Sequence, residues 1–98
     1  MDARAERQHV EELLRDWDPV GVIPALIEEG LQPDEYDSYA PHVHRTLADG
    51  CTAESLALTL GLFRTRSMGL PASPSTDLAA ARRLVAWWVS RDAAAEPR

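Results

Sequence analysis

Apolar residues recur along this chain at intervals of three and four, the spacing that places side chains on one face of an α-helix. The first such stretch predicts a helix from about Ala3 to Asp16. Its apolar stripe consists of Val10, Leu13, Leu14 and Trp17. The last stretch predicts a helix from about Ser75 to Asp92. The inner stripe of that helix consists of Leu78, Ala81, Val85 and Trp88.

Two more helices are predicted between these. Asp37 or Ser38 could cap the first of them, which closes at Asp49-Gly50. Its stripe consists of Tyr36, Tyr39, Val43 and Leu47. Thr52 is a favourable N-cap for the second, which runs to about Met68 and ends at Gly69. Leu56, Leu60 and Phe63 form its stripe, with Leu58 and Leu62 on a flanking face.

The segment between Asp18 and Gly30 predicts a shorter element. Asp18-Pro19 is a favourable helix start, but Pro24 lacks the N–H that a helix interior needs. We therefore expect a short helix or 3₁₀ segment here. No stretch alternates at period two for long enough to predict a strand. The predicted fold is all-α, a compact bundle of four main helices plus this short piece, with one domain over residues 1–92 and a frayed tail over 93–98.

Charge divides the chain into two unlike halves. The net charge is −6 over 98 residues. Residues 1–50 hold twelve acids and four arginines, a net of −8, whereas residues 51–98 hold four acids and six arginines, a net of +2. An acidic chain argues against a general nucleic-acid or anionic-membrane binder. The acids either occupy solvated helix faces or form an interaction surface.

The remaining composition indicates where the protein resides. The first residues lack the basic stretch and apolar run of a signal peptide, and no apolar run approaches the length that spans a bilayer. Cys51 is the single cysteine, which fits a reducing compartment. All ten basic residues are arginines, and with the many alanines this suggests a GC-rich bacterial genome. We expect a cytoplasmic bacterial protein.

Two strings carry a family resemblance. They are residues 13–22 (LLRDWDPVGV) and 33–39 (PDEYDSY), followed later by Met68-Gly69-Leu70. In this order they resemble the YugE-like family of small helical bacterial proteins of unknown function, over roughly residues 10–90. The chain departs from that pattern at residues 23–27 (IPALI), where a more polar connection is expected. The resemblance implies a compact helical fold and no established activity.

Five acids flank the short element: Asp16, Asp18, Asp34, Glu35 and Asp37. Their oxygens could bind a hard cation such as Mg²⁺ or Ca²⁺, although their spacing matches no calcium loop. Alternatively, Asp18 and Asp37 are helix caps while the other acids are solvated. A third interpretation is a docking surface for a basic partner.

Aromatic residues supply the other candidate contacts. Tyr36 and Tyr39 lie beside acids, as interface aromatics often do, but their spacing to Val43 also suits the core. Trp88 fits the inner stripe of the last helix, which leaves Trp87 at the edge of the core or outside it. An exposed tryptophan is a typical interface anchor, and the alternative is that a small bundle buries both rings between neighbouring helices. The candidate partner-binding residues are Asp34, Glu35, Tyr36, Asp37, Tyr39 and Trp87.

Common catalytic signatures are missing from the sequence. His42 and His44 would point about 200° apart on a helix and could not chelate one ion. Cys51 fits a hydrophobic staple on Leu56 better than a nucleophile, and His9 is expected to face solvent. The arginines at 64, 66, 82 and 83 show no recognition-helix pattern, although they could pair with the acidic half. No cofactor or metal ligand set is predicted.

These patterns favour a non-enzymatic protein-interaction module. One form would be an immunity-type inhibitor whose acidic face blocks a basic toxin, and another would be a homodimer. The alternative is a small enzyme or divalent-metal-binding protein that uses the acids between Asp16 and Asp37. The predicted partner is a protein or a second copy, with no nucleic acid and no membrane.

Overall fold

A computed structural model describes residues 2–17, 28–30 and 36–95, with side chains described as far as residue 91. These residues form four α-helices: α1 (Ala3–Trp17), α2 (Ala40–Ala48), α3 (Ala53–Leu62) and α4 (Pro74–Ala95). A 3₁₀ turn (Asp37–Tyr39) precedes α2, and a π turn (Phe63–Ser67) follows α3. No strand occurs in the described ranges, and the prediction of an all-α bundle is confirmed. Residues 18–27 of the short element predicted between Asp18 and Gly30 lie outside the described residues.

The start of α1 follows from its sequence. The carboxylate of Asp2 accepts the Ala5 backbone N–H at 2.8 Å, which satisfies one of the unpaired donors at the helix start. Val10, Leu14 and Trp17 are buried as predicted, whereas Leu13 is only partly buried. The helix ends one residue beyond the predicted Asp16.

The start of α2 differs from the prediction. Neither Asp37 nor Ser38 caps it; the N-cap position is Tyr39, which makes no side-chain capping bond. Asp37 instead forms an ion pair with Arg15 of α1, so its carboxylate is directed across to another helix. Pro41 lies in the first turn of α2, where its missing N–H costs nothing. Ala40, Val43 and Leu47 form the buried face.

The cap predicted for α3 is confirmed. The Ser55 backbone N–H donates to the Thr52 hydroxyl oxygen at 3.1 Å. The predicted single helix to Met68 is instead an α-helix that widens into the π turn after Leu62. Gly69 ends the π turn with φ of 67°, a left-handed conformation that favours glycine.

The buried face of α4 is rotated from the predicted one. Its fully buried side chains are Asp77, Ala80, Ala81 and Leu84. Leu78, Val85 and Trp88 are half-buried, and Val89 is 66% exposed. Asp77 lies on this buried face and accepts hydrogen bonds from Trp17 and Arg64. The helix also runs to Ala95, three residues past the predicted end at Asp92.

One apolar core holds the helices together. α3 packs chiefly along α4, while α1 packs against both α2 and α4. The core therefore contains the buried faces of all four helices, closed by Tyr36 ahead of the 3₁₀ turn. This arrangement leaves the side of α3 that faces away from the core uncovered by the other described helices.

Candidate functional site

Tyr36, one of the candidate partner-binding residues, belongs to the core. Its side chain is 1% exposed, and its ring lies 5.9 Å from the Trp17 ring. A ring without exposed surface cannot anchor a partner in this conformation. Of the two interpretations drawn from its spacing, the structure favours the core for Tyr36.

Asp37 is engaged within the chain. Its Oδ2 accepts a hydrogen bond from Arg15 Nη2 at 2.9 Å. This bond raises the pKa of Arg15, chiefly because Asp37 favours the charged guanidinium. Asp34 and Glu35, together with Asp18 of the proposed cation cluster, lie outside the described residues. The interpretations of the acidic cluster as a cation site or docking surface therefore stay predictions.

Tyr39 and Trp87 are both half-buried but have different neighbours. Tyr39 stacks on Phe63 of the π turn, with ring centroids 4.6 Å apart. Trp87 stacks on His9 of α1, with ring centroids 4.5 Å apart. Each ring is thus stacked on a different neighbour, and Tyr39 and Trp87 do not form an aromatic contact with each other. His9, expected in solvent, is held against α4 by this stack.

The potential metal and thiol ligands are also dispersed. His42 contacts Phe63 whereas His44 contacts Trp88, so the two imidazoles point to different neighbours as their helical spacing predicts. Within the described ranges, no three His, Cys, Asp or Glu side chains are grouped to hold a metal ion. Cys51 is half-buried against the core, and burial raises the pKa of its thiol.

A buried ion pair that the sequence analysis missed lies between the π turn after α3 and α4. The Arg64 guanidinium donates from Nη2 to Asp77 Oδ1 at 2.8 Å and from Nε to the same oxygen at 3.0 Å. The Trp17 indole N–H donates to this oxygen at 2.9 Å. Asp77 is 2% exposed and Arg64 is 6% exposed. Three helical segments therefore converge on one carboxylate.

A second missed cluster surrounds Glu6. One carboxylate oxygen of Glu6 is 3.0 Å from His44 Nε2, and the other is 3.0 Å from Arg91 Nη1. The Arg91 guanidinium lies 3.4 Å from the centroid of the Trp88 ring, which His44 approaches edge-on. Glu6 is 8% exposed. It therefore joins α1 to α2 and α4 by polar contacts.

The sequence held a signal for both clusters. Arg64 continues the i, i+4 row of Leu56 and Leu60, and Glu6 precedes Val10 by the same interval. Asp77 likewise starts the row that contains Ala81. A charged residue in register with an apolar stripe is either a break in the stripe or a buried partner. Opposite charges in such positions on different helices favour the second alternative.

The largest apolar side chains left exposed on α3 lie in one row. Leu58 is 74% exposed and Leu62 is 50% exposed. Glu54 precedes them and Arg66 follows, each four residues away and each exposed. We call these four residues the α3 stripe. Its centre is apolar and its two ends carry opposite charges.

A groove runs beside the α3 stripe. Its volume is about 270 Å³, and it lies between α3 and the start of α4. Ala57, Gly61 and Thr65 line one wall, Ala72 and Pro74 line the other, and Asp77 lies at the base. Leu58 and Leu62 form the outer edge. The stripe and groove together form a ridge beside a hollow, a shape that suits contact with another helix.

Comparison with protein-family models, curated proteins and solved structures finds no match to this chain. Membership of the YugE-like family therefore stays a prediction, drawn from the two strings and Met68-Gly69-Leu70. Within the ranges that the structure describes, no helix is both long and apolar enough to cross a membrane.

Proposed function

We propose that this protein is a non-enzymatic protein-interaction module whose principal contact surface is the α3 stripe with its groove. The observation that carries the proposal is the exposure of Leu58 and Leu62 in one row beside an apolar hollow. Burying a leucine side chain contributes about 1.5–3 kcal/mol. A partner that covered both would therefore gain a substantial part of its binding energy from this row.

The chemistry of the other polar clusters supports binding over catalysis. Arg64 and Asp77 neutralise each other in the core, and Glu6 is held between His44 and Arg91. Groups engaged in this way hold helices in fixed orientations and are not free for chemistry. Raised thiol pKa keeps Cys51 protonated at neutral pH, so it makes a poor nucleophile. The polar side chains of these clusters are thus accounted for by structural roles.

Tyr39 and Trp87 are secondary contacts in this proposal. Each ring is covered on one face by a neighbour and is only half-buried, so part of it is accessible to a partner. Together with Asp34, Glu35 and Asp37 they could extend a surface for a basic protein, as an immunity-type inhibitor would need. We place this module in the bacterial cytoplasm and within the YugE-like family.

A matched pair of surface variants tests the proposal. Leu58→Glu puts a charge on the α3 stripe, whereas Val89→Glu puts the same charge on an apolar residue of α4 that is 66% exposed. We expect tagged wild-type chain and Val89→Glu to retain a stoichiometric protein partner, either another chain copy or a protein from a lysate of the source organism. Leu58→Glu should lose it. Light scattering and mass spectrometry report which partner is held.

The proposal is wrong if the wild-type chain is monomeric at all concentrations and also recovers no stoichiometric protein. It is also wrong if Leu58→Glu and Val89→Glu release a partner equally, because the contact surface would then lie elsewhere. Thermal unfolding of both variants provides the folding control. Both substituted residues are exposed, so at a protein concentration too low for self-association each variant should retain the wild-type stability within about 0.5 kcal/mol.

A further inference from the structure

We infer that the partner of the α3 stripe is a second copy of this chain, with the two α3 helices antiparallel across a two-fold axis. The inference rests on the proposed function and names the partner of that same surface. Three observations carry it: the relief of α3, the absence of ionised groups at the centre of its outer face, and the opposite charges at its ends.

The pattern of large and small side chains along α3 can pack against the same pattern on a second copy. Three rows of residues spaced four apart run side by side along it. The inner row of Leu56, Leu60 and Arg64 is buried. The next row, Ala57, Gly61 and Thr65, is small and lines the groove. The outer row is the α3 stripe, with its two exposed leucines.

A two-fold rotation makes use of this order. Because a large row lies beside a small row, the rotation can place the leucines of one copy over the small row of the other, and the reverse. Such an isologous contact closes after two copies, so it yields a dimer without extending into a filament. The glycine in the small row allows the second helix to approach closely.

Charge restricts where two copies can meet. Each chain carries a net charge of −6, so two copies repel each other overall, and a contact face without exposed acids keeps the local repulsion lowest. The centre of the α3 stripe and the groove provide such a face. Among the described residues that line the groove, Asp77 is the only one with a carboxylate, and it is 2% exposed and neutralised by Arg64.

Charge also sets the orientation of the helices. Glu54 and Arg66 lie at opposite ends of the α3 stripe, Glu54 in the first turn of α3 and Arg66 in the π turn that follows it. Neither makes an ion pair with any residue that the structure describes. In an antiparallel pair, Glu54 of each copy faces Arg66 of the other. A parallel pair would bring like charges together, which is unfavourable.

The area needed for a stable dimer indicates that the groove is also part of the interface. A stable interface buries roughly 800 Å² on each partner. One row of four residues is too narrow to supply this area. The dimer must therefore also cover the far wall of the groove, formed by the residues at 72–74. Ridge and groove together form one continuous face.

Sedimentation and light scattering between about 1 μM and 1 mM protein test the dimer directly. We expect a monomer–dimer equilibrium for the wild-type chain. Leu58→Glu should weaken dimerisation by about 100-fold or more, because it places two charges in the dry centre of a symmetric interface. Val89→Glu, the matched control, should dimerise within a few-fold of wild type.

Charge reversal tests the antiparallel orientation. Glu54→Arg places two arginines opposite each other at both ends of the interface, and Arg66→Glu places two glutamates there. Each variant alone should dimerise roughly tenfold more weakly. An equimolar mixture restores opposite charges at both ends and should form a heterodimer with near wild-type affinity. Native mass spectrometry distinguishes this heterodimer from the two homodimers by mass.

The results separate this inference from the proposed function. A chain that is monomeric up to 1 mM, yet loses a foreign partner in Leu58→Glu, overturns the dimer and leaves the interaction surface. A dimer that is disrupted equally by Val89→Glu overturns the inference, because another face would form it. Single charge variants that dimerise as tightly as the wild-type chain overturn the antiparallel arrangement, because a parallel pair already faces like charges and would not be weakened by the reversal.

Discussion

Single buried charges determine how the helices of this protein are oriented about their axes. Asp77 accepts hydrogen bonds from both Arg64 and Trp17, so the carboxylate fixes the rotation of α4. Removing a buried charge from its partner is costly, because the remaining ion keeps its desolvation penalty. Replacing both charges with uncharged groups avoids that penalty. Stability measurements on single and double variants can therefore separate the two effects.

We predict that Asp77→Asn lowers the free energy of unfolding by about 3 kcal/mol, since it leaves Arg64 buried without a compensating charge. Adding Arg64→Leu should recover most of this loss, to within about 1 kcal/mol of wild type. The asparagine oxygen in the double variant can still accept the Trp17 N–H. Urea unfolding followed by Trp fluorescence measures both values. A double variant less stable than Asp77→Asn would contradict the prediction.

Cys51 gives a second prediction for a single residue. Burial raises its thiol pKa, so the folded chain holds the proton more tightly than the unfolded chain does. The stabilisation from this thiol is thus complete below the ordinary pKa and is lost as pH rises through the folded pKa. We expect iodoacetamide to modify Cys51 several-fold more slowly in folded protein than in urea at pH 8. Equal rates would show that the thiol is not protected.

At the scale of elements, the junction of α3 with the π turn matters most. The wider turn starts at Phe63, and it brings Arg64 to Asp77 while Tyr39 and His42 pack on Phe63. Helical periodicity alone predicts a continuous α-helix to Met68. The change in pitch depends on contacts with α4 and with the segment before α2. Gly61 lies just before this change, inside the helix.

Two glycines should respond in opposite directions to the same substitution. Gly61 is helical, and an added Cβ would lie 3.5 Å from Asp77 Oδ2, an ordinary contact distance. Gly61→Ala should raise the free energy of unfolding by up to about 1 kcal/mol, because alanine favours helix. Gly69→Ala should lower it by about 1–2 kcal/mol, because Gly69 has a φ of +67°.

Both glycine variants are best measured by urea unfolding in the Leu58→Glu background. Gly61 lines the groove of the proposed dimer, so this background separates helix stability from self-association. If Gly61→Ala destabilised the monomer, the side chains around Asp77 would have to be more tightly packed against Gly61 than the structure shows. If Gly69→Ala were neutral, the left-handed turn would not be required to end this segment.

On the scale of the whole molecule, few of the ion pairs in the described part of the chain join the acidic half to the arginine-rich half. Glu6 pairs with Arg91 across the two halves, whereas Arg15–Asp37 and Arg64–Asp77 each form within one half. Of the arginines expected to pair with the acidic half, Arg64 instead pairs within its own half, and the pair across the halves is made by Arg91, which the sequence analysis did not name. Much of the negative charge of the first half lies on exposed residues. Because these surfaces of two copies would repel each other, association is favoured on α3, in the second half.

The proposed dimer predicts a concentration-dependent melting temperature. Dimerisation stabilises only the folded state, so the midpoint of thermal unfolding should rise with protein concentration. From below the dissociation constant to about 100 times above it, the rise should be roughly 10 °C for a chain of this size. Leu58→Glu should melt at a midpoint that does not change over the same range. Differential scanning calorimetry measures both chains.

The sequence by itself determined the helices and most of their ends. The period of the apolar residues predicts α1 to α4, and local chemistry explains the Thr52 cap and the Gly69 stop. These features depend on residues within one or two turns of each other, so they can be deduced without knowing the fold. The all-α bundle follows from them.

Only the tertiary structure decided which charged residues are buried and which leucines are exposed. Asp37 is an ordinary cap by sequence, yet Arg15 draws it to α1; Tyr36 is equally suited to an interface or to the core until Trp17 packs beside it. Leu58 and Leu62 are chemically identical to the core leucines, and their place on a flanking face of the helix does not show whether a neighbour covers them. Their exposure depends on where α4 lies against α3, a long-range contact that no local pattern encodes.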